Sequence, residues 1–102
     1  MKKVRMMVAD TISAIRVEHV DNQRLVELGV KYWPIWEKEE STFDWRYDEQ
    51  EICYFLQGEV IVKTDEGEVT LGRGDLVTFP KNLHCTWRIT RAVKKHFKFG
   101  EI

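Results

Sequence analysis

Residues 51–80 read EICYFLQGEVIVKTDEGEVTLGRGDLVTFP, and their punctuation decides the fold. Glu51 to Gln57 is an apolar, β-prone run ended by Gly58. Val60, Val62 and Thr64 then lead into Asp65-Glu66-Gly67, a tight hairpin turn with a glycine free to take a left-handed conformation. Val69 and Leu71 return to Gly72-Arg73-Gly74-Asp75, a second turn, and Leu76 to Phe79 is a strand stopped by Pro80. Strands this short, separated by turns at intervals of roughly 8 to 12 residues, belong to a sandwich or a barrel.

The same rhythm continues on both sides. Upstream, Phe43, Trp45 and Tyr47 alternate with Asp44 and Arg46. Downstream, Cys85, Trp87 and Ile89 alternate with polar residues, and so do Val93, Lys95, Phe97 and Phe99. Residues 15–20 read as one more strand. Asp21 then supplies a helix N-cap, Leu25 and Leu28 lie three apart and Gly29 is a stop signal, which predicts a helix of two turns. Tyr32 to Trp36 reads as an aromatic connector, because Pro34 forbids a regular central strand. The expected architecture is an all-β antiparallel sandwich or barrel, of which a jelly roll is one solution, with one or two short helices. Residues 1–30 supply an N-terminal strand and helix, and residues 31–102 the barrel.

Bulk composition narrows the function classes. With 102 residues the chain makes one domain with one core. Sixteen basic and 17 acidic residues leave a net charge of −1, which is no footprint for nucleic acid. No apolar run reaches the roughly 20 residues of a membrane span. The basic start at Lys2, Lys3 and Arg5 is followed by Asp10, Thr11, Ser13 and Arg16, not by the apolar core of a signal peptide, so a cytoplasmic location is expected. Cys53 and Cys85 are then read as free thiols.

Two elements of this pattern resemble the cupin superfamily: Glu51 followed by six residues and Gly58, and Gly74 followed by five residues and Pro80. The segment Trp33-Pro-Ile-Trp-Glu-Lys, with Phe43-x-Trp-x-Tyr-Asp, is similar to small single-domain cupins grouped with ureidoglycine aminohydrolase and the ethanolamine-utilisation cupin. The resemblance implies a jelly-roll barrel with a central pocket, and an association with nitrogen metabolism. Metal-binding cupins carry a His-x-His pair ahead of the acidic residue and a further histidine after the second motif. Here those positions fall on Trp45, Tyr47 and Cys85, so Glu51 alone is kept. An indole offers an N–H and no lone pair to a metal. Glu51 and Cys85 together make at most a weak divalent site, so no cofactor is expected.

Strand parity, together with the positions that the resemblance points into the barrel, selects the remaining candidates. Trp45, Tyr47, Glu51, Cys53, Cys85 and Trp87 are expected to line one cavity, with Lys95 at its floor or rim. A buried carboxylate at Glu51 needs a partner, and Lys95 shares the apolar parity of the last strand. Either residue could act catalytically, Glu51 as a base. The two thiols are read first as small core residues. His84 shares parity with Thr86 and Arg88 and is read as facing outward, and His19 and His96 as surface residues. Ile52, Tyr54 and Leu56 should form an apolar outer row that needs cover, from Met6, Met7 and Val8 or from a second copy, so a homodimer is expected. The leading function is a small-molecule-binding cupin with a degenerate metal site and a small polar ligand, carboxylate- or amine-bearing. The alternatives are a hydrolase- or isomerase-like enzyme using Glu51 or a weak metal, and a structural module without a ligand.

Overall fold

The computed structural model describes residues 14–100. Seven strands and one α-helix follow in the order β1 (Arg16–His19), α1 (Asn22–Leu28), a 3-10 turn (Val30–Tyr32), β2 (Ile35–Lys38), β3 (Ser41–Arg46), β4 (Glu51–Thr64), β5 (Gly67–Gly72), β6 (Asp75–Phe79) and β7 (His84–Phe99). Every strand pair is antiparallel. The fold is all-β and antiparallel, as the alternation predicts, and it is the jelly roll that the resemblance implies.

Two long strands, β4 and β7, form the spine and are paired along most of their length. The first half of β4 also pairs β6, and β6 pairs β1. The second half of β4 pairs β5. Likewise β7 pairs β3 at its start and β2 toward its end. Two half-sheets therefore share the spine. They fold toward each other, because residues of both enter one cluster: Cys53, Phe55 and Phe79 from one half pack with Val62, Leu71 and Ile89 from the other.

The fold between the halves lies at Gly58. The β4–β7 register shifts between Phe55 and Val60, the signature of a bulge. Gly58 has φ +94°, and a Cβ there would meet the Ala92 carbonyl oxygen at 2.2 Å. No other residue fits both that conformation and that contact. The bulge also switches the buried parity of β4, from Glu51, Cys53 and Phe55 to Val60, Val62 and Thr64. The sequence reading ended the strand at Gly58, but the ladder continues through it.

Helix α1 forms as its caps predict. The Asp21 side chain accepts from the Arg24 N–H at 2.9 Å, and Gly29 closes the helix at φ +71°. Val30 and Trp33, supported by Leu25 and Leu28, pack on Ile52 and Leu76 in a second cluster, with Val20 and Tyr54 at its border. Ile52 and Tyr54 of the apolar outer row of β4 thus have cover from α1 and the turn after it. The expected cover from Met6, Met7 and Val8 lies outside the described residues. Among the described residues no helix is long and apolar enough to cross a membrane.

Candidate functional site

The site is built where the faces of β4 and β7 meet β2 and β3. Glu51 opens β4, opposite Phe99 of β7, and Lys95 stands opposite Phe55 on the same buried face. The two positions are four residues apart along the ladder, so the lysine stem runs back past Cys53 to reach the carboxylate. Lys95 Nζ donates to Glu51 Oε2 at 2.7 Å, and each side chain is 6% exposed. The ammonium also lies 4.8 Å from the ring centre of Trp87 and 5.0 Å from that of Trp36. Those two indoles meet edge to face at 5.8 Å. One buried cation is thus held by a carboxylate and two π faces, an arrangement that strengthens as water is excluded.

This pair borders a cavity of about 260 Å³, lined by Trp36, Phe43, Trp45, Tyr47, Glu51, Trp87, Lys95, Phe97 and Phe99. Trp45 and Phe99 are each 48% exposed and form its rim. Tyr47 is fixed by its backbone: its N–H donates to the Leu83 carbonyl at 2.9 Å and its carbonyl accepts from the Asn82 N–H at 2.7 Å. Its ring stacks on Phe79 at 4.8 Å, nearly parallel. Burial first, and then the Glu51 carboxylate, push its phenol well above the ordinary value near 10, so the hydroxyl keeps its proton. The Trp87 indole N–H pulls weakly the other way. That N–H is buried and lies close to Tyr47 and Cys85, yet completes a hydrogen bond with neither.

Of the residues selected by parity, the structure brings Trp45, Tyr47, Glu51, Trp87 and Lys95 to one cavity. It does not place Cys53 or Cys85 on the cavity wall, which corrects that expectation. Cys53 is fully buried within interaction distance of Lys95, and Cys85 is 3% exposed within the core cluster. Burial raises Cys53 to about 12 against a partial pull downward from Lys95, and raises Cys85 to about 11 against the Trp87 N–H. Both remain thiols at neutral pH and are poor nucleophiles and poor metal ligands.

The parity reading missed four wall residues. Phe43, Phe97 and Phe99 carried the signal, sharing parity with Trp45 and Lys95. Trp36 carries none, because Pro34 marks its segment as a connector. Pro34 in fact stands just before β2, where a missing N–H costs nothing, and its carbonyl accepts from Phe97 N–H at 3.0 Å. Strand β2 then places Trp36 directly opposite Lys95. His84 is exposed. His19 is an exposed partner of Asp75 at 3.3 Å. His96 is not a free surface residue: it is partly buried, and its Nδ1 donates to the Trp33 carbonyl at 2.8 Å.

The cupin fold raises the question of a metal, and these residues do not fit one. Among the described residues no three histidine, cysteine or acidic side chains converge on a point. One Glu51 oxygen is taken by the Lys95 ammonium, a resident cation where a metal would need the ligand. Cys85 is off the wall and protonated.

A family profile described as the EutQ-like cupin domain matches residues 25–97. Among solved structures, the chain is similar to a DUF861-family protein from Thermotoga maritima, at 47% identity over 84% of this chain and 99% of that one, with a TM-score of 0.82. It is similar in fold to EutQ from Clostridium difficile, at 19% identity over 94% of this chain and 79% of that one, TM-score 0.60. A putative ethanolamine utilization protein Q from Salmonella typhimurium matches at 20% identity over 64% of this chain, TM-score 0.59, and the match spans 53% of that longer protein. No curated protein matches.

Proposed function

The chain belongs to the EutQ-like cupin family, and from that premise we propose that it is a small-molecule-binding cupin that works without a tightly held metal. The observation that carries this reading is the Glu51–Lys95 pair, joined at 2.7 Å on the wall of an aromatic cavity. A filled structural barrel has no use for an ion pair at a cavity wall, since apolar residues of the same size would serve stability as well or better. A pocket with apolar walls and a few convergent polar groups is the ordinary form of a ligand site. At about 260 Å³ it is smaller than sites for drug-sized compounds, which suits a metabolite. The ligand is a molecule with a flat apolar body that lies against the aromatic wall, where Trp36 and Trp45 are the accessible indoles, and one polar end that meets the pair. Binding, rather than catalysis, is favoured because Glu51 already holds a proton donor and neither thiol reaches the cavity.

We also propose that the chain forms a homodimer in the cytoplasm. Val26, Tyr32 and Ile35 are exposed by 68%, 80% and 47%, large apolar side chains that a symmetric partner would cover.

The test is a metabolite screen read by tryptophan fluorescence, since Trp36, Trp45 and Trp87 all line the site. Hits are expected to weaken in Glu51→Gln by about 1.5–3 kcal/mol, the scale of a hydrogen bond to a charged group. A screen in which no hit depends on Glu51, Trp36 or Trp87 would remove the proposal.

A further inference from the structure

The charge of the ligand is readable from the pair itself, and this inference rests on the reading of the cavity as a binding site. Glu51 and Lys95 neutralise each other, so the polar end of the cavity carries no net charge. The Lys95 ammonium is engaged on several sides, by Glu51 Oε2 and by the faces of Trp36 and Trp87. Glu51 is 5% exposed, and no described residue bonds its other oxygen. Among the described residues, the sole fully buried side-chain nitrogen or oxygen without a partner is the Trp87 indole nitrogen. The second Glu51 oxygen is therefore open to the cavity that Glu51 lines.

We infer that the cavity selects a neutral aromatic or heteroaromatic molecule that presents one O–H or N–H donor to this free oxygen. An anionic ligand would bring a second negative charge beside Glu51 in an aromatic site, with no unengaged cation to answer it. A cationic ligand would gain Glu51 but sit beside the Lys95 ammonium, and would be desolvated against a pair already neutral. A neutral donor satisfies the open acceptor without adding charge, and its flat body lies against the aromatic wall of the cavity. The apolar analogue lacking the donor leaves that acceptor dry and unpaired, which is the strongest form of discrimination such a site has.

The experiment uses four probes that share one phenyl ring, with the full chain at pH 7: phenol, its near-isostere toluene, benzoate and benzylammonium, titrated by calorimetry. Phenol is expected to bind about tenfold or more tighter than each of the other three. In Glu51→Leu combined with Lys95→Met, which removes the pair as a unit, phenol and toluene should bind within about threefold of each other. Should that variant not fold, Glu51→Gln replaces it, and the phenol-to-toluene ratio should fall at least about threefold. Benzoate or benzylammonium binding as tightly as phenol would overturn the inference while leaving the cavity a ligand site. Equal binding of phenol and toluene to the natural protein would do the same. Failure of all four probes to bind would overturn the reading of the cavity together with the inference.

Discussion

Replacing Lys95 with methionine isolates what the buried pair does for the fold. The substitution keeps the volume of the stem and removes the charge. Glu51, with a side chain 6% exposed, would be left as a carboxylate without its counter-charge. Removing one partner of a buried pair costs about 3–5 kcal/mol. Two cation–π contacts, at 4.8 and 5.0 Å, are lost with it, each worth about 0.5–2 kcal/mol. Methionine recovers part of that by packing on the same indoles, so the net expectation stays at about 3–5 kcal/mol. A single domain has about 5–15 kcal/mol in all. The loss should lower Tm by at least about 12 °C, taking about 4 °C per kcal/mol for a domain this size. Urea unfolding followed by far-UV circular dichroism reads the same quantity without depending on Trp87. The partner experiment is the double variant Glu51→Leu with Lys95→Met, which removes both charges and should recover most of the loss. A Lys95→Met protein within about 1 kcal/mol of the natural one would refute the reasoning, since that is the value of a solvated surface pair. So would a double variant less stable than the single.

Other consequences follow from the same geometry. Gly58→Ala should destabilise by about 3 kcal/mol or more, because φ +94° and a backbone oxygen 2.2 Å from the new Cβ leave no relief, and denaturant midpoints check it. Stability should fall as pH rises above about 9. The unfolded thiols ionise there, while folded Cys53 and Cys85 hold their protons to about 12 and about 11, so each removes about 1.4 kcal/mol per pH unit in that window. The loss is absent at pH 7, and Cys53→Ala should flatten the alkaline slope. Protein purified without added metal should carry well under one equivalent of iron, manganese, zinc, nickel or copper by elemental analysis. A stoichiometric metal that survives dialysis and is lost in Glu51→Gln would contradict the fit of the site. Light scattering at micromolar concentration should return twice the chain mass, and a monomer mass would count against the homodimer.

Much of this molecule was legible in the chain because strands and turns are local. Glycine, proline and period-two alternation mark where each strand begins, which face is apolar and where the chain reverses. Parity, with the two motif anchors of the cupin resemblance, put Trp45, Tyr47, Glu51, Trp87 and Lys95 on inward faces, and the cap and stop signals at Asp21 and Gly29 delimited helix α1. The tertiary structure decided how far along each face a side chain lies from the opening, because an alternation names a face and not a depth. Cys53 and Cys85 share the inward face, yet neighbours fill the space around them and take them off the wall. It also decided the bulge at Gly58, where the inward parity of β4 changes because one long strand must serve two half-sheets. Trp36 entered the site through pairing with Lys95 on a strand 59 residues further along the chain, a contact that no local pattern encodes. The carboxylate and the ammonium were each visible in the sequence. That one lysine reaches one glutamate and two indoles at once is set by the closure of the barrel around them.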